Sequence, residues 1–144
     1  MRYWDTSAIV PLVVEEPGSE LVRRWLEQDP TMVTWALSRL ELVGAVERRA
    51  RQHLISPADR RLLLARFESL ASIWDEVRDL LPVRERAVSL LARHALRAAD
   101  ALQLAAADLV ADGDPASLQF VCLDRTLGAA AEREGFVVMT WPDE

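Results

Sequence analysis

Gln119-Phe120-Val121-Cys122-Leu123-Asp124-Arg125 is the stretch on which the fold reading turns. Gln119 to Leu123 is an uncharged, mostly apolar run of strand length, and it stops at an acid. Arg125 to Glu134 continues as a helix that Gly135 closes, and Phe136 to Thr140 reads as the next strand. A strand, a helix and a strand in direct succession predict parallel pairing, because a parallel crossover usually needs a helix.

The same alternation extends back along the chain. Arg2 to Asp5 reads as a short strand, followed by an apolar helix near Ser7 to Val14. After Pro17-Gly18 comes a helix carrying Leu21, Val22, Trp25 and Leu26 on one face, ended by Asp29-Pro30. Thr31 to Trp35 is a strand. Ser38 opens a helix to about Gln52, with Leu40, Val43 and Val46 expected inward. Ser56-Pro57 starts another, with Leu63, Phe67 and Leu70 at helical spacing. Ile73 to Val77 is a short strand, Pro82 begins a helix reaching His94, and Asp100 to Val110 is an Ala- and Leu-rich helix stopped by Asp112-Gly113-Asp114-Pro115. The expected fold is a mainly parallel α/β sheet with helices on both faces. Such sheets bind ligands beyond the carboxyl ends of their strands, where the strand order switches.

With 144 residues, 51% of them hydrophobic, the chain is the size of one domain spanning residues 1–144, with no repeat or linker. Its longest apolar runs are far below the roughly 20 residues that cross a bilayer, and Met1-Arg2 leads straight into Tyr3-Trp4-Asp5 without a signal-like apolar region, so a cytoplasmic address is expected. Cys122, lying in an apolar stretch, reads as a buried inert thiol. The net charge is −6, and all 17 basic residues are arginine. An acidic chain binds nucleic acid only through a local Arg patch or bound metal ions.

Asp5, Glu41, Asp100 and Asp124 fall at strand-to-helix junctions or in first helical turns, where a site is expected. Taken singly, each is explained by capping, and Ser38-x-x-Glu41 matches a capping box. Together they point to a cation, since converging carboxylates repel unless protonated or bridged. All-oxygen ligation suits Mg²⁺ or Mn²⁺, whereas Cys122, His53 and His94 lack zinc-ligand spacing. The two histidines follow basic helical segments and read as solvated helix ends. The chain has neither a Gly-x-Gly-x-x-Gly nor a Gly-Lys-Ser/Thr loop, which disfavours nucleotide cradles. Without lysine, the receiver-like and haloacid-dehalogenase-like phosphotransfer designs lose their electrostatic partner.

These pieces resemble a PIN domain, specifically the VapC-like toxin ribonucleases of bacterial and archaeal toxin-antitoxin pairs. The matching segments are Tyr3-Trp4-Asp5-Thr6-Ser7-Ala8, Ser38-Arg39-Leu40-Glu41, His94-Ala95-Leu96-Arg97-Ala98-Ala99-Asp100-Ala101-Leu102-Gln103-Leu104-Ala105 and Phe120-Val121-Cys122-Leu123-Asp124-Arg125, with the trailing Glu134-Gly135-Phe136. The resemblance implies a three-layer α/β/α fold with a five-stranded parallel sheet of order 3-2-1-4-5. It also implies Mg²⁺- or Mn²⁺-dependent RNA cleavage, with metal held chiefly by Asp5 and Asp100 and with Glu41 and Asp124 completing the acidic pocket. A homodimer and a cognate antitoxin are implied too. Cys122 stands where members often carry Ser, Thr or Asn, and Ala95 where Gly is common.

The expected reaction is in-line attack of a metal-activated water on the scissile phosphorus, with Glu41 orienting the ion or acting as base. Thr6 or Ser7 is a candidate contact to a phosphate oxygen, with capping of the first helix as the competing role. Arg39 and Arg97 are candidate grips on the RNA backbone. Two other readings share the acids: a binding module that keeps the scaffold without catalysis, and a metal-dependent phosphatase acting on small phosphate esters.

Overall fold

The computed structural model describes residues 1–143. In chain order they form β1 (Arg2–Trp4), α1 (Thr6–Val13), α2 (Ser19–Gln28), β2 (Met32–Trp35), α3 (Ser38–Arg51), α4 (Pro57–Ala71), β3 (Asp75–Val77), α5 (Leu80–Arg93), α6 (Ala98–Ala111), a 3-10 turn (Pro115–Ser117), β4 (Gln119–Val121), α7 (Arg125–Arg133) and β5 (Val137–Met139). The strands make one sheet of order β3-β2-β1-β4-β5 in which every neighbouring pair is parallel. β1 is central, with Arg2 opposite both Met32 and Gln119. The expected order is therefore the observed one.

Alternation along the strands divides the core in two, since successive side chains leave opposite faces of a sheet. Tyr3, Val33, Trp35, Val77 and Phe120 join residues of α5, α6 and α7 in one cluster. Trp4, Met32 and Val121 join residues of α1 to α4 in the other. A sheet buried on both faces explains why β2 and β4 read as nearly continuous apolar runs.

Element boundaries depart from the sequence reading where side chains leave the ladder. β1 ends at Trp4 and β4 at Val121, because Asp5 and Asp124 become the N-caps of α1 and α7. β3 is shorter than Ile73 to Val77, with Ile73 exposed and Trp74 turned into the core. α5 starts at Leu80, ahead of Pro82. The first-turn N–H groups of a helix have no internal acceptor, so proline fits there. In α3 the inward residues are Leu42 and Val46, while Leu40 (67% exposed) and Val43 lie on the outside. The helix is rotated relative to the expected face, a choice made by which side chains meet Trp4 and the residues of α4.

Candidate active site

The carboxyl ends of β1 and β4 lie side by side, and both chains leave the sheet through an aspartate. Asp5 is 4% exposed. Its Oδ2 accepts the backbone N–H of Ser7 at 3.1 Å, the Ser7 hydroxyl at 2.5 Å and the Cys122 thiol at 3.6 Å. All three donors fall on one oxygen, and among the described residues none reaches Oδ1. Asp124 caps α7 by accepting the N–H of Leu127 at 2.9 Å. The Ser7 hydroxyl ties the two junctions together, because it also accepts the backbone N–H groups of Leu123 (2.9 Å) and Asp124 (3.2 Å). Ser7 is thus committed inside the protein, and its competing role as a phosphate contact has no hydroxyl valence left to use.

Glu41 and Asp100 enter from α3 and α6. The capping-box reading of Ser38 and Glu41 fails: the N-cap of α3 is Leu37, which offers no side-chain acceptor. Ser38 lies one residue inside and is buried, its hydroxyl 2.7 Å from the Thr34 hydroxyl. Glu41, released from capping, turns to Gln103, 3.4 Å away. Asp100 occupies the first turn of α6.

The four acids share one electrostatic environment. Burial pushes Asp5 up to about 6 against the hydrogen bonds from Ser7, and the charges of Glu41 and Asp100 add to the rise. Burial also raises Glu41, opposed by hydrogen bonds from Thr6 and Gln103 and reinforced by Asp100. Asp100 is raised by burial and then by Asp124, with Arg97 pulling the other way. Carboxylates that raise one another in a half-buried pocket are stabilised by a cation. Hard oxygen donors and an unengaged Oδ1 on Asp5 fit Mg²⁺ or Mn²⁺. No three His, Cys, Asp or Glu side chains among the described residues already form a closed metal cage. That is compatible with Mg²⁺, which keeps several waters and uses one or two carboxylates.

The sequence profile of the PIN domain matches residues 2–112. The chain belongs to the PIN-domain family. Two curated relatives, Ribonuclease VapC45 of Mycobacterium tuberculosis strain CDC 1551 and Ribonuclease VapC49 of strain H37Rv, are each 31% identical over 133 residues, covering 92% of this chain and 90% of theirs. Among solved structures, FitAcB from Neisseria gonorrhoeae superposes with a TM-score of 0.67 at 21% identity, over 96% of both chains. PAE2754 from Pyrobaculum aerophilum gives 0.66 at 20% identity, over 96% of this chain and 89% of that one. A toxin-antitoxin complex from Klebsiella pneumoniae gives 0.64 at 17% identity over 97% of both. At these identities the structures establish the fold alone.

The PIN scaffold uses other expected residues differently. Arg39 is spent on Glu68 (3.1 Å) and Glu76 (3.8 Å), whereas Arg97 stands exposed at the N-terminus of α6. His94 corrects the expectation of a solvated helix end: its side chain is 5% exposed and its Nε2 lies 2.8 Å from Glu134. His53 is exposed, as expected. Cys122 is fully buried and burial raises its thiol well above the usual range, in keeping with an inert group. Gln103 was not foreseen. It is 1% exposed and bonded to four other residues of the site region, and its signal was a single amide in the apolar run Ala101 to Ala107, one helical turn after Asp100.

Proposed function

We propose that this PIN domain is a metal-dependent endoribonuclease and the toxin of a toxin-antitoxin pair. One arrangement carries the reading: Asp5 and Asp124 follow the adjacent ends of β1 and β4 at the strand-order switch, and Glu41 and Asp100 come in from α3 and α6, so that burial and neighbouring acids raise Asp5, Glu41 and Asp100. The ribonuclease names of the two mycobacterial relatives support RNA as the substrate.

Asp5 and Asp100 would hold Mg²⁺ or Mn²⁺, which would supply a water of lowered pKa and offset charge on the phosphate. The residues of the chain account for the rest. Ser7 fixes the rotamer of Asp5. Glu41, half-buried and raised by burial and by the charge of Asp100, suits proton abstraction. Arg97 supplies an exposed cation beside Asp100 for the RNA backbone.

Partners follow from the surfaces. Leu12, Val13, Leu26, Leu70 and Ile73 line an apolar groove of about 640 Å³ between α1, α2 and α4, bordered by Arg23, Glu27 and Arg66. This groove supports a helical antitoxin segment as partner. Leu40 on α3 and Leu80, Leu81, Val88 and Leu91 on α5 are exposed, which supports a homodimer. No helix among the described residues is long and apolar enough to cross a membrane, and a cytoplasmic RNA substrate is in keeping with that.

The test is cleavage of total RNA with Mg²⁺, with Mn²⁺ and with chelator, alongside Asp5→Asn and Asp100→Asn. Cleavage should require the metal and both aspartates, and full activity in any depleted or substituted sample would overturn the reading. A chromogenic phosphate ester in the same panel separates a phosphatase, which would hydrolyse the ester and spare RNA.

A further inference from the structure

Gln103 joins more of the pocket than any one of the acids does. Its Oε1 lies 2.6 Å from the Tyr3 hydroxyl. Its Nε2 lies 3.0 Å from the Thr6 hydroxyl, 2.9 Å from the Ser38 hydroxyl and 3.4 Å from Oε1 of Glu41. An ionised carboxylate only accepts, so the amide nitrogen must face Glu41 and the amide oxygen must face Tyr3, which therefore donates. The remaining protons are then determined. Thr6 accepts from Gln103. Ser38 accepts from Gln103 and donates to Thr34, which donates to the Trp4 carbonyl at 2.7 Å. The two amide protons of Gln103 thus serve three acceptors, of which Glu41 is the most distant, and the chain of donors runs outward from Tyr3.

We propose that Gln103 is a positioning residue: the Glu41 carboxylate fixes which way its carboxamide faces, the Tyr3 hydroxyl anchors it at the other end, and the carboxamide so held keeps Glu41 aimed at the pocket. Networks of this kind hold side chains more firmly than isolated pairs, because each bond polarises the next. Gln103 is 1% exposed, and Glu41 is the acid of the pocket that it reaches. It acts through Glu41, and Tyr3 acts through Gln103. The kinetic consequence rests on the ribonuclease reading, whereas the orientation of the carboxamide does not.

The experiment therefore has two arms. In the first, the side-chain ¹H–¹⁵N signals of Gln103 are recorded in the metal-free protein. A single resolved pair is expected, which shifts in Glu41→Gln and doubles or broadens in Tyr3→Phe as the amide loses its anchor. Signals indifferent to both substitutions would overturn the proposal. In the second, RNA cleavage is measured for Gln103→Met, Tyr3→Phe and the double variant. Gln103→Met should lower kcat by about 10- to 100-fold, the usual cost of losing a group that orients a ligand or base, with KM nearly unchanged. The double variant should be no slower than Gln103→Met. A loss of melting temperature with kcat intact, or effects of the two substitutions that multiply, would show a purely structural bolt and refute the positioning role. If Gln103→Met does not fold, Tyr3→Phe and the amide signals decide. If the wild-type protein cleaves no RNA, the ribonuclease reading fails and the first arm still decides the orientation.

Discussion

The Ser7 hydroxyl donates to Oδ2 of Asp5 at 2.5 Å while accepting two backbone N–H groups from the chain that leaves β4. One small side chain thus fastens the end of β1 to the end of β4. Ser7→Ala removes the donor to a buried carboxylate and strands two N–H groups. We expect a loss of about 1–3 kcal/mol in unfolding free energy, read by urea denaturation, which is the scale of an unsatisfied buried polar group.

Asp5 carries a pH signature. Its carboxyl is raised from 3.8 to about 6 by burial and by the neighbouring acids, so the folded metal-free protein holds a proton that the unfolded chain has already lost over that interval. Its contribution to stability is therefore full in acid and declines as pH rises from about 4 through 6. Melting temperature measured in chelator should fall across this window. Asp5→Asn should flatten the decline, and Mn²⁺ should restore stability most at the alkaline end, where the carboxylate is free to bind it.

Asp124 has two jobs that one substitution can separate. It caps α7 through Leu127 and contributes charge to the pocket around Asp100. Asparagine caps nearly as well as aspartate, so Asp124→Asn should keep the melting temperature and lose RNA cleavage. Asp124→Ala should lose both, with a stability cost of about 1 kcal/mol. Equal stability of the two variants in thermal unfolding would contradict the capping role.

Glu134 is held below the usual range for glutamate, first by hydrogen bonding to Arg93 and also by His94. Its stabilising contribution is present above pH about 4.5 and disappears as pH falls through the lowered value. Glu134→Gln should therefore lower the melting temperature more at pH 7 than in strong acid. The comparison needs only circular dichroism at two pH values.

Much of this was legible in the sequence because it rests on local chemistry. The aspartates that follow β1 and β4 and open α1 and α7, the Ser56-Pro57 helix start and the Gly135 stop, at φ 99°, are written in adjacent residues. Ser38 shows where that legibility stops. A serine three residues before a glutamate is a sound cap signal, yet Ser38 bonds Thr34 and Gln103, partners that only the packed sheet and α6 supply. His94 was misread for the same reason. The C-terminus of α5 is exposed in an isolated helix, and it becomes covered here because the end of α7 brings Glu134 against it. Gln103 sat among alanines and leucines, where periodicity registers only a gap in the apolar face.

The central place of β1 has a consequence for how the molecule is made. Asp5 is synthesised early, but the segment that receives the Ser7 hydroxyl lies 117 residues later, and β4 must slot beside β1 before the two aspartates share an edge. A chain made only as far as α6 already carries Asp5, Glu41 and Asp100 yet lacks the strand that seats Asp124 beside them, so the pocket is among the last parts of the molecule to close.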